Sequence, residues 1–161
     1  MYLNYFVIDK KCNFDIIIWH KNNAVPLFNG KYLTDKEYCL YFRKNSYCCP
    51  KNYEYAKTVY EIPINIKDKK DYNHPTIKPI EIIKKLILNS SHEGDLIFDP
   101  FLGSGTTAVA CKQLNRQYIG FEIDKQYYDI ANNRLNGINQ KELKLIKNKQ
   151  TTIFDFIEED K

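Results

Sequence analysis

The sequence from Gly94 to Ala108 reads GDLIFDPFLGSGTTA. Residues 96–98 are an apolar run of strand length, which predicts a strand in a parallel sheet that is covered on both faces. Gly103 and Gly105 allow the backbone to turn sharply and to approach a ligand closely. Either Thr106 or Thr107 is suited to cap the helix that follows. These residues predict a buried strand, a glycine turn and the beginning of a helix.

A second strand is predicted over residues 117–122, after a helix over 108–114. Strand, glycine turn, helix and strand with a terminal acid is the βαβ order of a nucleoside-binding half-domain. The spacing of Gly103 and Gly105 satisfies the dinucleotide pattern. A phosphate-binding loop of the P-loop type is excluded, because no lysine follows Gly105.

The carboxylates of Asp99 and Glu122 indicate whether the turn binds a dinucleotide or a nucleoside without phosphate. Asp99 ends the first strand, where ligands bind in open α/β sheets. Its charge repels a pyrophosphate but suits the ammonium group of an amino-acid-like ligand. Glu122 can accept hydrogen bonds from both hydroxyls of a ribose. A ligand with an ammonium group and a ribose but no phosphate is S-adenosylmethionine (SAM).

Three blocks resemble segments of DNA methyltransferases that modify the exocyclic amine of adenine or cytosine. Residues 99–107 (DPFLGSGTT) resemble their SAM motif, and residues 74–79 (HPTIKP) resemble their other SAM-contacting segment. Residues 18–23 (IWHKNN) with 28–31 (FNGK) resemble the late strand and loop before the target-recognition region. The order of the blocks is similar to that of the circularly permuted beta group. The resemblance covers residues 15–136.

The resemblance implies a Rossmann-like α/β methyltransferase fold with three α/β/α layers, incomplete at the N-terminus. One domain over 1–161 is expected, with hairpin strands in 14–44, a candidate target-recognition segment in 46–72, a SAM-binding part in 74–136 and a tail in 150–161. The implied reaction is methyl transfer from SAM to adenine N6 or cytosine N4, as in restriction–modification systems. Lys78 has the charge to meet the SAM carboxylate. The implied cofactor-binding residues are Thr76, Lys78, Asp99, Pro100, Phe101, Gly103, Ser104, Gly105, Thr106 and Glu122.

The sequence departs from the family in its catalytic motif. These enzymes hold the flipped target base with an Asp-Pro-Pro-Tyr type motif, and no such tetrapeptide occurs in the 161 residues. The strand that carries this motif normally pairs beside residues 96–98, so its loss leaves a strand edge unpaired. We therefore assign no catalytic residue and expect the chain alone to be inactive. The expected partners are DNA and either an N-terminal methyltransferase half or a second copy.

Two other functions are kept as alternatives. The first is a non-catalytic DNA-binding or partner-pairing protein, either a remnant of a methyltransferase or a subunit of a split one. The second is a nicotinamide-dependent dehydrogenase, but such an enzyme needs a substrate domain that this length does not leave. SAM binding against nicotinamide binding distinguishes these classes.

Length, composition and charge limit the classes of protein that fit this sequence. The chain has 161 residues, 43% of them hydrophobic, which is enough for one domain with a core. Its net charge of +4 is compatible with nucleic acid. The sequence has no membrane-length apolar run and no signal peptide, so a cytoplasmic protein is expected. Five cysteines without a CxxC pair predict reduced thiols and no metal site.

Four further elements are predicted. Residues 14–19 form a strand that pairs antiparallel with a strand over 37–43, and Trp19, Tyr38 and Phe42 are expected in the core. A helix over 80–88 follows Pro79 and buries Ile82, Ile83, Leu86 and Ile87. A helix over 124–135 places Tyr128, Ile130, Ala131 and Leu135 on its packed side.

Two segments have open interpretations. In residues 46–72, tyrosines such as Tyr60 alternate with lysines, so the segment either stacks bases and holds phosphates or is a solvated surface. Residues 150–154 (QTTIF) resemble the peptide by which bacterial replication proteins dock on the sliding clamp. The alternative for this peptide is a C-terminal strand or docking segment.

Overall fold

A computed structural model of the chain describes residues 13–26, 30–43, 48–72 and 76–138. In chain order the described elements are β1 (Asn13–His20), β2 (Lys36–Arg43), α1 (Tyr53–Ala56), β3 (Val59–Glu61), α2 (Ile66–Tyr72), α3 (Ile80–Ser90), β4 (Leu96–Asp99), α4 (Thr106–Gln113), β5 (Gln117–Gly120) and α5 (Lys125–Leu135). They belong to two compact units, each made from two segments of the chain. The first unit comprises 1–64 and 79–95, and the second comprises 65–78 and 96–161. The predicted SAM-binding part is therefore divided, because α3 belongs to the first unit.

The first unit contains a three-stranded sheet in the order β2-β1-β3. β1 and β2 are antiparallel over their full lengths, as the sequence predicts, with Ile17 opposite Cys39. β3 runs parallel to β1, and Tyr60 lies opposite Trp19. The core contains Ile17, Trp19, Tyr60 and, from α3, Ile82. The indole Nε1–H of Trp19 donates to the carbonyl of Ile62 at 2.6 Å.

The prediction that Trp19 lies in the core is confirmed, whereas the same prediction for Tyr38 is wrong. Tyr38 is 66% exposed. The register explains the difference, because Tyr38 lies opposite Ile18 and cross-strand partners share a face. Ile17 and Trp19 point to the core, so Ile18 and its partner point to the other face.

Helix α3 confirms the helix predicted after Pro79 and extends it to Ser90. Pro79 stands at the N-cap, where its missing N–H costs no helical hydrogen bond. Ile82 and Ile87 are buried, as their spacing predicts. After the helix, the Ser91 hydroxyl donates to the Ile87 carbonyl at 2.7 Å.

Tyr53, Tyr55 and Tyr60 of the candidate recognition segment each contact a lysine of the same unit. Lys85 of α3 lies 4.4 Å from the ring centre of Tyr60 and 5.5 Å from that of Tyr55. Lys57 lies 5.2 Å from the ring centre of Tyr53. Tyr60 is a core residue, so its interpretation as a base-stacking ring is wrong. Ser46 and Tyr47 lie outside the described residues.

In the second unit β4 and β5 are parallel, and Asp99 lies opposite Gly120 at their carboxyl ends. Helix α4 packs on β5, and α5 packs on α4. Asp124 caps α5, since its Oδ1 accepts from the backbone N–H groups of Gln126 and Tyr127. Ala131 is buried on the packed side of α5, as predicted, but Tyr128 is half-exposed.

Two expectations about the strand and the turn are wrong. Leu96 and Phe98 were expected to be buried, but they are 55% and 60% exposed. Among the described residues β4 pairs only with β5, so one face and one edge of this strand lack the cover that a central parallel strand has. Helix α4 is not capped by a threonine side chain. Its N-cap is Gly105, which lies in the left-handed region with φ +77°.

Gly105 also allows a close approach between the turn and α5. A Cβ at this position would meet the Ala131 Cβ at 2.9 Å, closer than carbon atoms pack. Glycine at 105 is therefore required both by backbone conformation and by helix packing.

We expect Gly105→Ala to lower the free energy of unfolding by about 3 kcal/mol, from backbone strain together with the clash on Ala131. Gly137→Ala is the matched control, because Gly137 has φ +75° but a Cβ added there would meet no described atom within 4 Å. Its expected cost is about 1 kcal/mol, from backbone strain alone. Urea unfolding measures both values. Equal costs would contradict the role of helix packing.

Candidate functional site

The glycine turn is joined to the end of β5 by the carboxylate of Glu122. Glu122 Oε2 accepts from the backbone N–H of Gly103 at 2.7 Å. Glu122 Oε1 accepts from the backbone N–H of Asp124 at 2.9 Å. A carboxylate oxygen has two acceptor positions, so each oxygen retains one for a ligand hydroxyl. Glu122 therefore holds the turn while each of its oxygens keeps an acceptor position.

Asp99 lies at the start of the same turn. Its Oδ1 accepts from the backbone N–H of Phe101 at 3.1 Å. Backbone hydrogen bonds continue the ladder beyond the strands, from Phe121 N–H to the Asp99 carbonyl at 3.0 Å and from Leu102 N–H to the Phe121 carbonyl at 2.8 Å. These bonds place the carboxylates of Asp99 and Glu122 at the carboxyl edge of two adjacent parallel strands.

The exposed part of the turn is formed by Pro100 and Phe101. The Phe101 side chain is 87% exposed. Its ring therefore offers an apolar surface beside the Asp99 carboxylate.

Ser104 and Thr106 face the interior of the unit. Their exposed fractions are only 4% and 6%. The Thr106 hydroxyl oxygen accepts a hydrogen bond from the Arg134 guanidinium at 2.8 Å. The predicted cofactor contacts of these two residues remain predictions, and their buried side chains favour contact through the backbone.

Arg134 is a residue of this region that the sequence motifs did not reveal. It is buried on α5 and lies 3.8 Å from the Asp68 carboxylate, with its guanidinium 5.0 Å from the ring centre of Tyr72. Burial lowers the pKa of the Arg134 guanidinium, and the Asp68 carboxylate opposes this shift. The sequence signal for a buried Arg134 was its position three residues after Ala131, because residues with this spacing lie on the same face of a helix. The packed face of the helix therefore carries a cation.

Thr76 and Lys78 belong to the same compact unit as the turn. Both are exposed, and they flank Ile77, which is 2% exposed. Ile77 therefore anchors this segment while its neighbours face outward. His74 and Pro75 of the same block lie outside the described residues, as do Phe28, the peptide 150–154 and the tail 150–161.

The described residues contain no group of three or more His, Cys, Asp or Glu side chains that could hold a metal ion. None of the helices in the described part of the chain is long and apolar enough to span a membrane.

Comparison with known proteins assigns the family. The N6_N4_Mtase family model, described as DNA methylase, matches residues 5–133. The chain belongs to this DNA methylase family. The match includes the glycine turn, both carboxylates of the strand ends and the β1–β2 pair.

Type II and orphan methyltransferases are among the relatives. The chain is 37% identical to the type II methyltransferase M2.DpnII of Streptococcus pneumoniae over 137 residues, covering 77% of this chain and 51% of the relative. It is 54% identical to the orphan methyltransferase M.BamHII of Bacillus amyloliquefaciens over 70 residues, covering 44% of this chain and 26% of the relative. The chain spans about half the length of the first curated relatives that it matches.

Solved structures show the fold. The crystal structure of the M1.HpyAVI–SAM complex matches with a TM-score of 0.67 and 34% identity, covering 84% of this chain and 68% of that one. The cytosine-N4-specific PvuII DNA methyltransferase matches with a TM-score of 0.66 at 17% identity, covering 84% and 62%, and supports the fold alone. The DNA methylase chain therefore has the Rossmann-like α/β fold of SAM-dependent methyltransferases.

The hydrogen bonds of Glu122 lead to a prediction for Glu122→Gln. Gly103 and Asp124 donate to different oxygens of Glu122, and a glutamine replaces one of these oxygens with an NH2 donor, so one of the two N–H groups loses its acceptor. We expect amide exchange at the turn to become roughly tenfold faster, because a hydrogen bond to a charged group is lost. Exchange measured by NMR tests this. Glu54→Gln is the control, since Glu54 pairs with Lys57 on the surface. Unchanged exchange at both Gly103 and Asp124 would contradict the assigned role.

Proposed function

We propose that the chain binds SAM at the carboxyl edge of β4 and β5 and forms the cofactor-binding part of a DNA methyltransferase that modifies adenine N6 or cytosine N4. The observation that carries the proposal is the arrangement of Asp99 and Glu122 on either side of the turn that contains Gly103. The family assignment and the solved SAM complex of M1.HpyAVI support it.

The two carboxylates match opposite ends of such a ligand. Asp99 accepts one backbone hydrogen bond at Oδ1 and has further acceptor positions for an ammonium group. Glu122 retains one acceptor position on each oxygen for the two ribose hydroxyls. A pyrophosphate would be repelled by the Asp99 carboxylate, which favours SAM over a nicotinamide dinucleotide.

The remaining predicted residues complete the site in this proposal. Gly103 and Gly105 keep the backbone close to the ligand, and the exposed Phe101 ring covers an apolar part of it. Thr76 and Lys78 meet the carboxylate of the methionine moiety, where the Lys78 ammonium supplies the opposite charge.

SAM supplies an electrophilic methyl group when it is bound. In the proposed reaction the exocyclic nitrogen of the base attacks that methyl carbon, the carbon–sulfur bond breaks, and the nitrogen loses one proton. The electron pair of the broken bond remains on sulfur, so the products are the methylated base and S-adenosylhomocysteine. In this proposal the chain contributes the position of the sulfonium.

The target amine requires groups that the 161 residues do not contain. No Asp-Pro-Pro-Tyr type tetrapeptide occurs in the sequence. We propose that these groups come from the methyltransferase half that corresponds to the unmatched part of the relatives, whether it is supplied in the same polypeptide or in a second one.

The exposed face of the β4–β5 sheet supports a further part of the proposal, which is that the chain pairs with a complementary methyltransferase half. Leu96 and Phe98 alternate along β4 and so share a face, and Ile119 lies opposite Phe98. Phe121 contacts the Phe98 ring edge-on at a centroid distance of 6.0 Å. All four side chains are at least 46% exposed. Burying side chains of this size stabilises an interface by about 2 kcal/mol each.

For the cofactor site we expect calorimetry to show micromolar SAM binding by the purified chain and no binding by Asp99→Ala. The change removes the acceptor for the ammonium group. Asp129→Ala is the matched control, because Asp129 is an exposed carboxylate on α5 that pairs with Lys125. NAD is expected not to bind. A folded wild-type chain that does not bind SAM would contradict the proposal, and NAD binding would favour a dehydrogenase.

For the pairing role, the probe is the half of M2.DpnII that this chain does not match, expressed separately. We expect the mixture to sediment as a one-to-one complex and to transfer labelled methyl from SAM to DNA. Phe98→Ser is expected to weaken the complex at least tenfold, since it removes a buried ring from the interface. Tyr128→Ser is the control, because Tyr128 is a half-exposed ring on α5. A complex unaffected by Phe98→Ser would contradict the proposed face.

A further inference from the structure

We infer that Arg134 is a positioning residue that fixes the glycine turn relative to helix α2, and thereby sets the spacing of the two segments proposed to contact SAM. The inference rests on the proposed function, since it concerns the geometry of that site. In this inference Arg134 does not contact SAM itself and acts through the residues that it holds in place.

On one side the guanidinium holds the turn. Nη1 donates to the Thr106 hydroxyl at 2.8 Å, to the Ser104 carbonyl at 3.3 Å and lies 3.4 Å from the Ser104 hydroxyl. The carbonyl of Ser104 lies between Gly103 and Gly105, the two positions of the turn with left-handed backbone conformations. A donor at this carbonyl therefore acts on the orientation of the peptide between the two glycines.

On the other side the same guanidinium holds α2. Nη2 lies 3.8 Å from the Asp68 carboxylate, and the guanidinium carbon lies 5.0 Å from the ring centre of Tyr72. Tyr72 is the last residue of α2, and the chain reaches Thr76 and Lys78 shortly afterwards. One buried side chain thus connects the turn with the helix that leads into the second predicted SAM-contacting segment.

A role in stability alone does not account for this arrangement. Arg134 is 7% exposed, so its charge has lost most of its hydration. Replacing a buried ion pair with apolar residues of similar volume is often neutral or stabilising, so a buried pair is weak evidence for stability. The planar guanidinium has five donors in a fixed geometry, which suits simultaneous contact with a carbonyl, a hydroxyl and a carboxylate. A lysine ammonium is a compact point charge without this fixed planar arrangement of donors.

The test uses Arg134→Lys, which keeps the buried charge, and Thr106→Val, which removes the hydroxyl acceptor without changing the charge. The control is Lys112→Met, because Lys112 of α4 also donates to a carbonyl of α5, that of Leu135 at 3.0 Å, but does not contact the turn. SAM affinity is measured by calorimetry, and amide exchange of residues 103–106 by NMR. Urea unfolding gives the folded fraction of each variant.

We expect Arg134→Lys and Thr106→Val each to weaken SAM binding roughly tenfold in the fully folded protein, as loss of a hydrogen bond to a charged group does. We also expect their combination to cost less than the sum of the two, since both remove the same contact. Amide exchange in the turn should accelerate in both variants and not in Lys112→Met.

An Arg134→Lys variant with unchanged SAM affinity and unchanged exchange would overturn the inference. So would a loss of affinity that only follows the unfolded fraction, because that result indicates a purely structural role. If the wild-type chain does not bind SAM, the proposed function fails, while turn exchange still decides whether Arg134 fixes the turn.

Discussion

The carboxylate of Glu122 is the interaction on which the candidate site depends. It accepts from the N–H groups of Gly103 and Asp124, so one side chain fixes the turn after β4 and the entry into α5. Both segments would otherwise leave backbone donors without partners at the edge of the sheet. These bonds join only protein groups, so the turn itself orients the acceptor positions that remain on Glu122.

Outside residues 46–72 the order of strands and helices could be predicted from the sequence, because each of those elements has its own local signal, whereas α1, β3 and α2 were not predicted. β1 is marked by consecutive β-branched residues, and α3 by a helical apolar spacing after Pro79. Exposure was less predictable, since it depends on register and on neighbouring elements. Tyr38 has the same local signal as Trp19, yet the register places it on the opposite face. Leu96 and Phe98 have the local signal of buried strand residues, but both are exposed, and among the described residues β4 pairs only with β5.

The residues of the candidate site could be predicted where their position in the βαβ order determines where they lie in the fold. Asp99 ends β4 and Glu122 follows the end of β5 by two residues, so a βαβ pattern alone brings them to one edge. The hydrogen-bond partners of Ser104 and Thr106 in the turn could not be predicted in the same way. Arg134 lies far along the chain from Thr106, and only the packing of α5 on α4 brings them within hydrogen-bonding distance. Ser104 and Thr106 have polar side chains in a predicted ligand loop, yet that packing turns them toward the guanidinium.

The exposed face of β4–β5 and the half-length match to the relatives have a common physical explanation. A parallel strand with apolar residues on both faces is stable only when neighbours cover both. In the proposed assembly the complementary half provides that cover and also the groups that hold the target amine. The cofactor carboxylates and the base-binding groups would then belong to different halves. Methyl transfer would require both, because neither half alone aligns the nitrogen, the methyl carbon and the sulfur. The hydrophobic burial that joins the halves would therefore also create the catalytic geometry.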